Sequence, residues 1–100
     1  MKYTRKLTLG PATKRIEEAD LDVLDVTNET LVLYHTHVDK LVIHNWCDIH
    51  LRCGSGIDSI EWINTNGKGT VAKITTHSEG CEIPYKHLPK GLTVEHVQDE

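Results

Sequence analysis

The chain contains no phenylalanine, one methionine and two tryptophans, so aromatic packing cannot dominate its interior. Leu, Ile and Val must form the core instead. Basic excess is also missing. Eleven Lys and Arg stand against fifteen Asp and Glu, a net charge of −4. That excludes the broad cationic surface with which proteins neutralise nucleic-acid phosphates. The basic residues Lys2, Arg5, Lys6, Lys14 and Arg15 gather at one end and Glu95, Asp99 and Glu100 at the other; both read as solvated ends. Three cysteines are an odd number without metal-type spacing, which argues against a disulfide framework. No apolar run is long enough to span a bilayer. Met1–Gly10 lacks the apolar core of a signal peptide, so a cytoplasmic, reducing location is expected.

What the chain does have is β-branched and aliphatic residues interleaved with Thr, Asn and Asp, a balance that favours strands. One hundred residues are enough for a single domain, 1–100, with a modest core. A segment recurs three times. Leu21–Asn28, Val38–Asn45 and Ile57–Asn64 each open on an aliphatic residue and Asp. Leu or Ile follows at position four, a large apolar residue at six, and Asn at eight. The copies are 17 and 19 residues apart.

In a strand, positions four, six and eight share one face. Leu24, Val26 and Asn28 therefore point the same way, as do Leu41, Ile43 and Asn45, and Ile60, Trp62 and Asn64. An inward Asn is costly unless its amide is bonded, and stacked Asn residues supply that bond. After each Asn comes a second apolar stretch, with Leu31/Leu33, Ile49/Leu51 and Ala72/Ile74 expected inside. Return turns are expected at Tyr34–His37, Arg52–Gly56 and Thr76–Gly80. This pattern resembles a parallel β-solenoid of the β-helix type with an interior Asn ladder. The resemblance implies an all-β fold of three to five short coils, two strands each. It identifies an architecture and no functional family. A leucine-rich repeat is the nearest alternative, but its consensus places Asn one residue later.

The repeat coils occupy 21–75. Within 1–20, Tyr3–Gly10 alternates as a strand, expected beside the second ladder. A short capping helix is expected from Pro11 or Thr13 through Ala19. Within 76–100, Leu92–Val97 reads as a last strand, either continuing the first ladder or folding back antiparallel.

Histidines and cysteines concentrate in the middle coil: His35, His37, His44, Cys47, His50 and Cys53. Imidazole with thiolate suits zinc, but the spacing fits no zinc pattern. Strand parity puts Cys47 and Cys53 inside and sends His44 and His50 to different faces. The weak metal candidates that remain are His35 and His37 in one turn, and the stacked column Asp22, Asp39 and Asp58. Gly54-Ser55-Gly56 lacks the context of a nucleophile or phosphate loop and reads as a tight turn. Lys68 reads as an exposed loop tip.

No catalytic constellation or cofactor motif is legible, so a non-enzymatic module is expected. Its outward grid on the first ladder is Val23/Asp25, Lys40/Val42/His44 and Glu61/Ile63; Arg52 and Lys73 lie outward on the second ladder. These are the candidate partner-binding residues, facing a protein partner. A chain this small is compatible with a phage- or mobile-element-encoded inhibitor of a host complex. Two other expectations stand beside it: a small metal- or saccharide-binding protein with hydrolase or lyase activity, and a homo-oligomeric solenoid.

Overall fold

A computed structural model describes residues 3–9, 14–63, 72–89 and 91–97. Seven strands occur there: β1 (Tyr3–Leu9), β2 (Lys14–Glu17), β3 (Asp20–Tyr34), β4 (His37–Arg52), β5 (Gly56–Ile63), β6 (Ala72–Thr76) and β7 (Leu92–His96). Their pairings are all parallel. Short turns cannot join parallel neighbours, so the chain must travel round a coil before it lies beside itself. It does so about four times, forming a parallel β-solenoid. β3 and β4 each run through most of a coil. β1 and β2 pair with the two halves of β3, β5 and β6 with the two halves of β4, and β7 with β6. No helix among the described residues is long and apolar enough to cross a membrane.

Apolar spacing explains the coil. Leu24 and Val26, then Leu31 and Leu33, alternate inward along β3 and are fully buried. Leu41, Ile43, Ile49 and Leu51 repeat this along β4, and Ala72 and Ile74 along β6. Register stacks them: Leu24 on Leu41 and Ile60, Leu31 on Ile49 and Ile74. Between buried Leu21 and buried Leu24 the step is three, which a straight strand cannot give. Here the ladder passes from Leu21 to Val23 without pairing Asp22, and likewise skips Asp39 and Asp58. The Asp column thus marks a bend in each coil.

Two further bends use left-handed backbone. Asn28 and Asn45 have φ of 52° and 61°, and Glu18, His35 and Cys53 have φ of 52°, 49° and 57°. Asn tolerates this region better than most residues. The asparagines therefore shape corners through their backbones. Asn28, on the first rung, is exposed and Asn45, on the next, is half-buried. Asn64 lies outside the described residues. A bulge accompanies the Asn45 corner: Thr27 pairs with His44, but Glu29 pairs with Cys47. The extra residue is Trp46, whose side chain is exposed.

The ends differ from expectation more than the middle. Lys14–Glu17 is strand β2, paired with Leu31–Tyr34, and not a helix; residues 10–13 lie outside the described residues. An available strand edge overrides the helical propensity of Lys-Arg-Ile-Glu. β1 pairs with the first half of β3, Leu7 beside Leu24, and not with the second ladder. β7 extends the second ladder in parallel, Leu92 beside Ala72. At that end Ile83 and Leu92 join the buried core, and Leu88 packs on it. Glu82 bridges to Gly56 and accepts from the Ile57 N–H at 2.8 Å, which closes the coil end with hydrogen-bonded backbone.

Gly54-Ser55-Gly56 is a turn with a buried hydroxyl. Ser55 Oγ accepts from the Thr36 N–H at 3.0 Å and lies 3.0 Å from the Leu33 carbonyl and 2.8 Å from that of Arg52. These bonds tie successive turns together and leave Ser55 no exposed hydroxyl.

Candidate functional site

The outward face of the first ladder is built on three strands in register. Val23, Lys40 and Ser59 form one row, Asp25, Val42 and Glu61 the next, and Thr27, His44 and Ile63 the third. Diagonal ion pairs cross it. Lys40 Nζ lies 2.8 Å from Glu61 Oε1, with both side chains about half exposed. His44 Nε2 lies 3.1 Å from Asp25 Oδ1, and Asp25 is buried. Val42, at the centre, is only 8% exposed, while Val23 and Ile63 are half-buried. The apolar residues of this face are therefore largely screened, and its accessible groups are charged.

The second outward face carries a different chain of contacts. Arg15 stacks on Tyr34, 4.7 Å from the ring centroid. His50 Nδ1 lies 2.6 Å from His77 Nε2, and His50 Nε2 lies 3.2 Å from Asp48 Oδ1. Lys73 pairs with Glu95 at 3.1 Å. Arg52 ends β4 on this side, half-buried. His44 and His50 thus belong to separate faces, and the middle-coil histidines and cysteines are not gathered into one centre.

The densest cluster surrounds His37, at the bend of the Asp column. Register puts Asp20 beside His37, and His37 beside Gly56. His37 Nδ1 lies 3.3 Å from Asp20 Oδ1 and 3.4 Å from Asp39 Oδ1. Its Nε2 lies 3.0 Å from Asp58 Oδ1. Three successive coils therefore contribute carboxylates to one imidazole. Of the sequence candidates, His37, Asp39 and Asp58 meet here; Asp22 holds the same bend one coil earlier, and His35 is exposed in the adjoining turn. Asp20 was missed because it precedes the first repeat. Its signal was present all the same, since it stands 17 residues before His37.

The Asp58 hydrogen bond raises the His37 pKa above the ordinary 6.5, opposed by partial burial and assisted by Asp20. A raised folded-state pKa means the folded chain binds the proton more tightly than the unfolded one. The resulting stabilisation is complete below about pH 6.5 and fades as pH rises through the higher folded value. Melting temperatures of the wild type and His37→Asn, measured in chelator from pH 5 to 9, should therefore converge as pH rises. A difference that is flat or widens with pH contradicts this.

The cysteines separate by environment. Cys47 is fully buried, and burial, reinforced by the negative charge of Asp48, pushes its pKa up to about 12. Cys53 is exposed, not inward as strand parity indicated, because it occupies a left-handed corner. Iodoacetamide at pH 8 should alkylate Cys53 in the folded protein and reach Cys47 only after denaturation. Peptide mass mapping reads this directly, and rapid Cys47 labelling in the fold would contradict it.

No protein-family model matches the chain, and neither curated proteins nor solved structures gave a match.

Proposed function

We propose that the protein is a non-enzymatic binding module that receives a protein partner on the outward face of its first ladder. The supporting observation is the half-exposed Lys40–Glu61 pair, held in register on adjacent parallel strands around the screened Val42. The ion pair already restrains both side chains, and such preorganisation lowers the ordering cost of binding. A matching partner presents an acidic group towards Lys40 and a basic group towards Glu61. His44 and Asp25 border the contact, and Arg52 and Lys73 extend it only if the partner wraps onto the second face. A module of this kind acts by occupying its partner's surface, as a phage- or mobile-element-encoded inhibitor of a host complex does.

The test begins with tagged protein recovered from its natural host and identification of what co-purifies. Direct binding is then measured for Lys40→Glu, Glu61→Lys and the double swap, with Lys73→Glu as the second-face comparison. Each first-face variant is expected to weaken binding at least tenfold, about 1.4 kcal/mol, without altering the fold. A partner whose affinity is untouched by all three, or is lost only in Lys73→Glu, overturns the assignment.

A further inference from the structure

We propose that Asp20, His37 and Asp39 form a site for a first-row divalent transition cation such as zinc, with Asp58 orienting the imidazole from outside it. The tightest contact of the ring is Nε2 to Asp58, at 3.0 Å. With Nε2 donating its proton there, Nδ1 is left with a lone pair. That lone pair faces Asp20 and Asp39 at 3.3 and 3.4 Å. A cation between the lone pair and the two carboxylates, either a proton or a metal ion, is attracted to all three.

The geometry suits a metal. Ligands about 2.1 Å from a tetrahedral zinc are about 3.4 Å apart, close to both observed Nδ1 separations. All three ligand atoms lie within 4.8 Å of one another. The Asp58–His37 contact has the form of the outer carboxylate that metal-binding histidines commonly use to fix their tautomer. The donor set selects the ion class. One imidazole nitrogen with two carboxylates favours zinc-like cations, whereas calcium and magnesium prefer oxygen alone.

Position adds a consequence. Asp20 belongs to β3, and His37 and Asp39 to β4. A bound cation therefore joins two successive coils and stabilises their stacking. The exposure of all three side chains, between 31% and 44%, leaves room for water to complete the coordination.

The test uses the full chain as a Cys53→Ser variant, stripped with chelator and titrated with zinc chloride at pH 7.5, followed by calorimetry and thermal melting. One zinc per chain should bind and raise the melting temperature. His37→Ala should abolish this, Asp20→Asn and Asp39→Asn should each weaken it at least tenfold, and His50→Ala should leave it intact. Affinity should fall between pH 7.5 and 6 as a proton competes for Nδ1. If His37→Ala folds poorly, Asp20→Asn carries the decision, because it alters the opposite coil and leaves the ring. Absence of zinc binding overturns the proposal. So does binding that survives His37→Ala and Asp20→Asn, or binding that disappears in His50→Ala. Calcium binding of equal strength and indifferent to His37 overturns it as well.

Discussion

Ile49→Ala is expected to lower the unfolding free energy by about 2–5 kcal/mol, the usual range for truncating a fully buried aliphatic side chain. Ile49 stands in the middle of the second ladder, between Leu31 and Ile74, with no exposed surface. Its loss leaves a void between two rungs of backbone-bonded strands that cannot collapse inward independently. Domains of this size hold about 5–15 kcal/mol in total, so a substantial share disappears. Because each coil rests only on its neighbours, a gap in the central coil weakens both interfaces. Val32→Ala supplies the comparison. Val32 is next to Leu31 in sequence but outward and half-buried, so its truncation should cost under about 1 kcal/mol. Urea midpoints at constant slope measure both. Equal effects would remove the distinction between inward and outward columns.

The second large effect is expected at Gly91, where Gly91→Ala should cost about 2–5 kcal/mol. Gly91 has φ of +93°, a conformation that an L side chain rarely adopts. An added Cβ would also run into Cζ3 and Cη2 of the Trp62 ring. Trp62 cannot move freely, because its Nε1–H donates to the Asn45 carbonyl at 3.1 Å. Left-handed strain contributes about 1–2 kcal/mol and overpacking about 1–3 kcal/mol. The result is displacement of the segment leading into β7, since Gly91 also accepts from the Ala72 N–H. Trp62→Leu in the same chain should recover part of the loss by removing the obstructing ring. Thermal melts of the single and double variants decide the matter. Full wild-type stability in Gly91→Ala would show that the end of the coil is packed differently.

The sequence made the middle of this molecule legible and its corners opaque, for physical reasons. Apolar alternation reports which way a side chain points, so Leu24, Val26, Leu41, Ile43, Leu31 and Ile49 were identifiable as core. The 17-residue step reported the parallel stacking. Alternation carries no information about φ, however. Asn28 and Asn45 could serve as inward stacking residues or as left-handed corners, and both readings require Asn at the same positions. Cys53 followed strand parity on paper, but a left-handed corner turned it outward. Trp46 concealed a bulge because an insertion of one residue leaves the next apolar strand looking normal. Lys14–Glu17 reads as helix because helix formers dominate its composition, while its strand state depends on a pairing edge supplied by β3.

The candidate sites divide in the same way. Lys40, Val42, His44, Glu61 and Ile63 could be placed on one outward face because strand parity determines faces. Their diagonal pairing, and the screening of Val42, depend on side-chain reach across strands. The Asp column was visible as a repeat. Its convergence on His37 was not, because the ring bridges positions that differ by two along the chain and by one coil across it. Aligning the residue before each repeat would have put Asp20, His37 and Gly56 in one column.

The stacking of parallel coils underlies both proposed sites, and methyl-to-methyl nuclear Overhauser contacts measure it most directly. Selectively labelled protein should show Leu24 close to Leu41, and Leu31 close to Ile49, with Ile49 in turn close to Ile74. Contacts at these steps of 17, 18 and 25 residues, in one consistent direction along the chain, are the predicted result. Cross-peaks whose partners run in opposite order, pairing Leu24 with Leu51 and Leu33 with Leu41, would indicate antiparallel strands and contradict the solenoid.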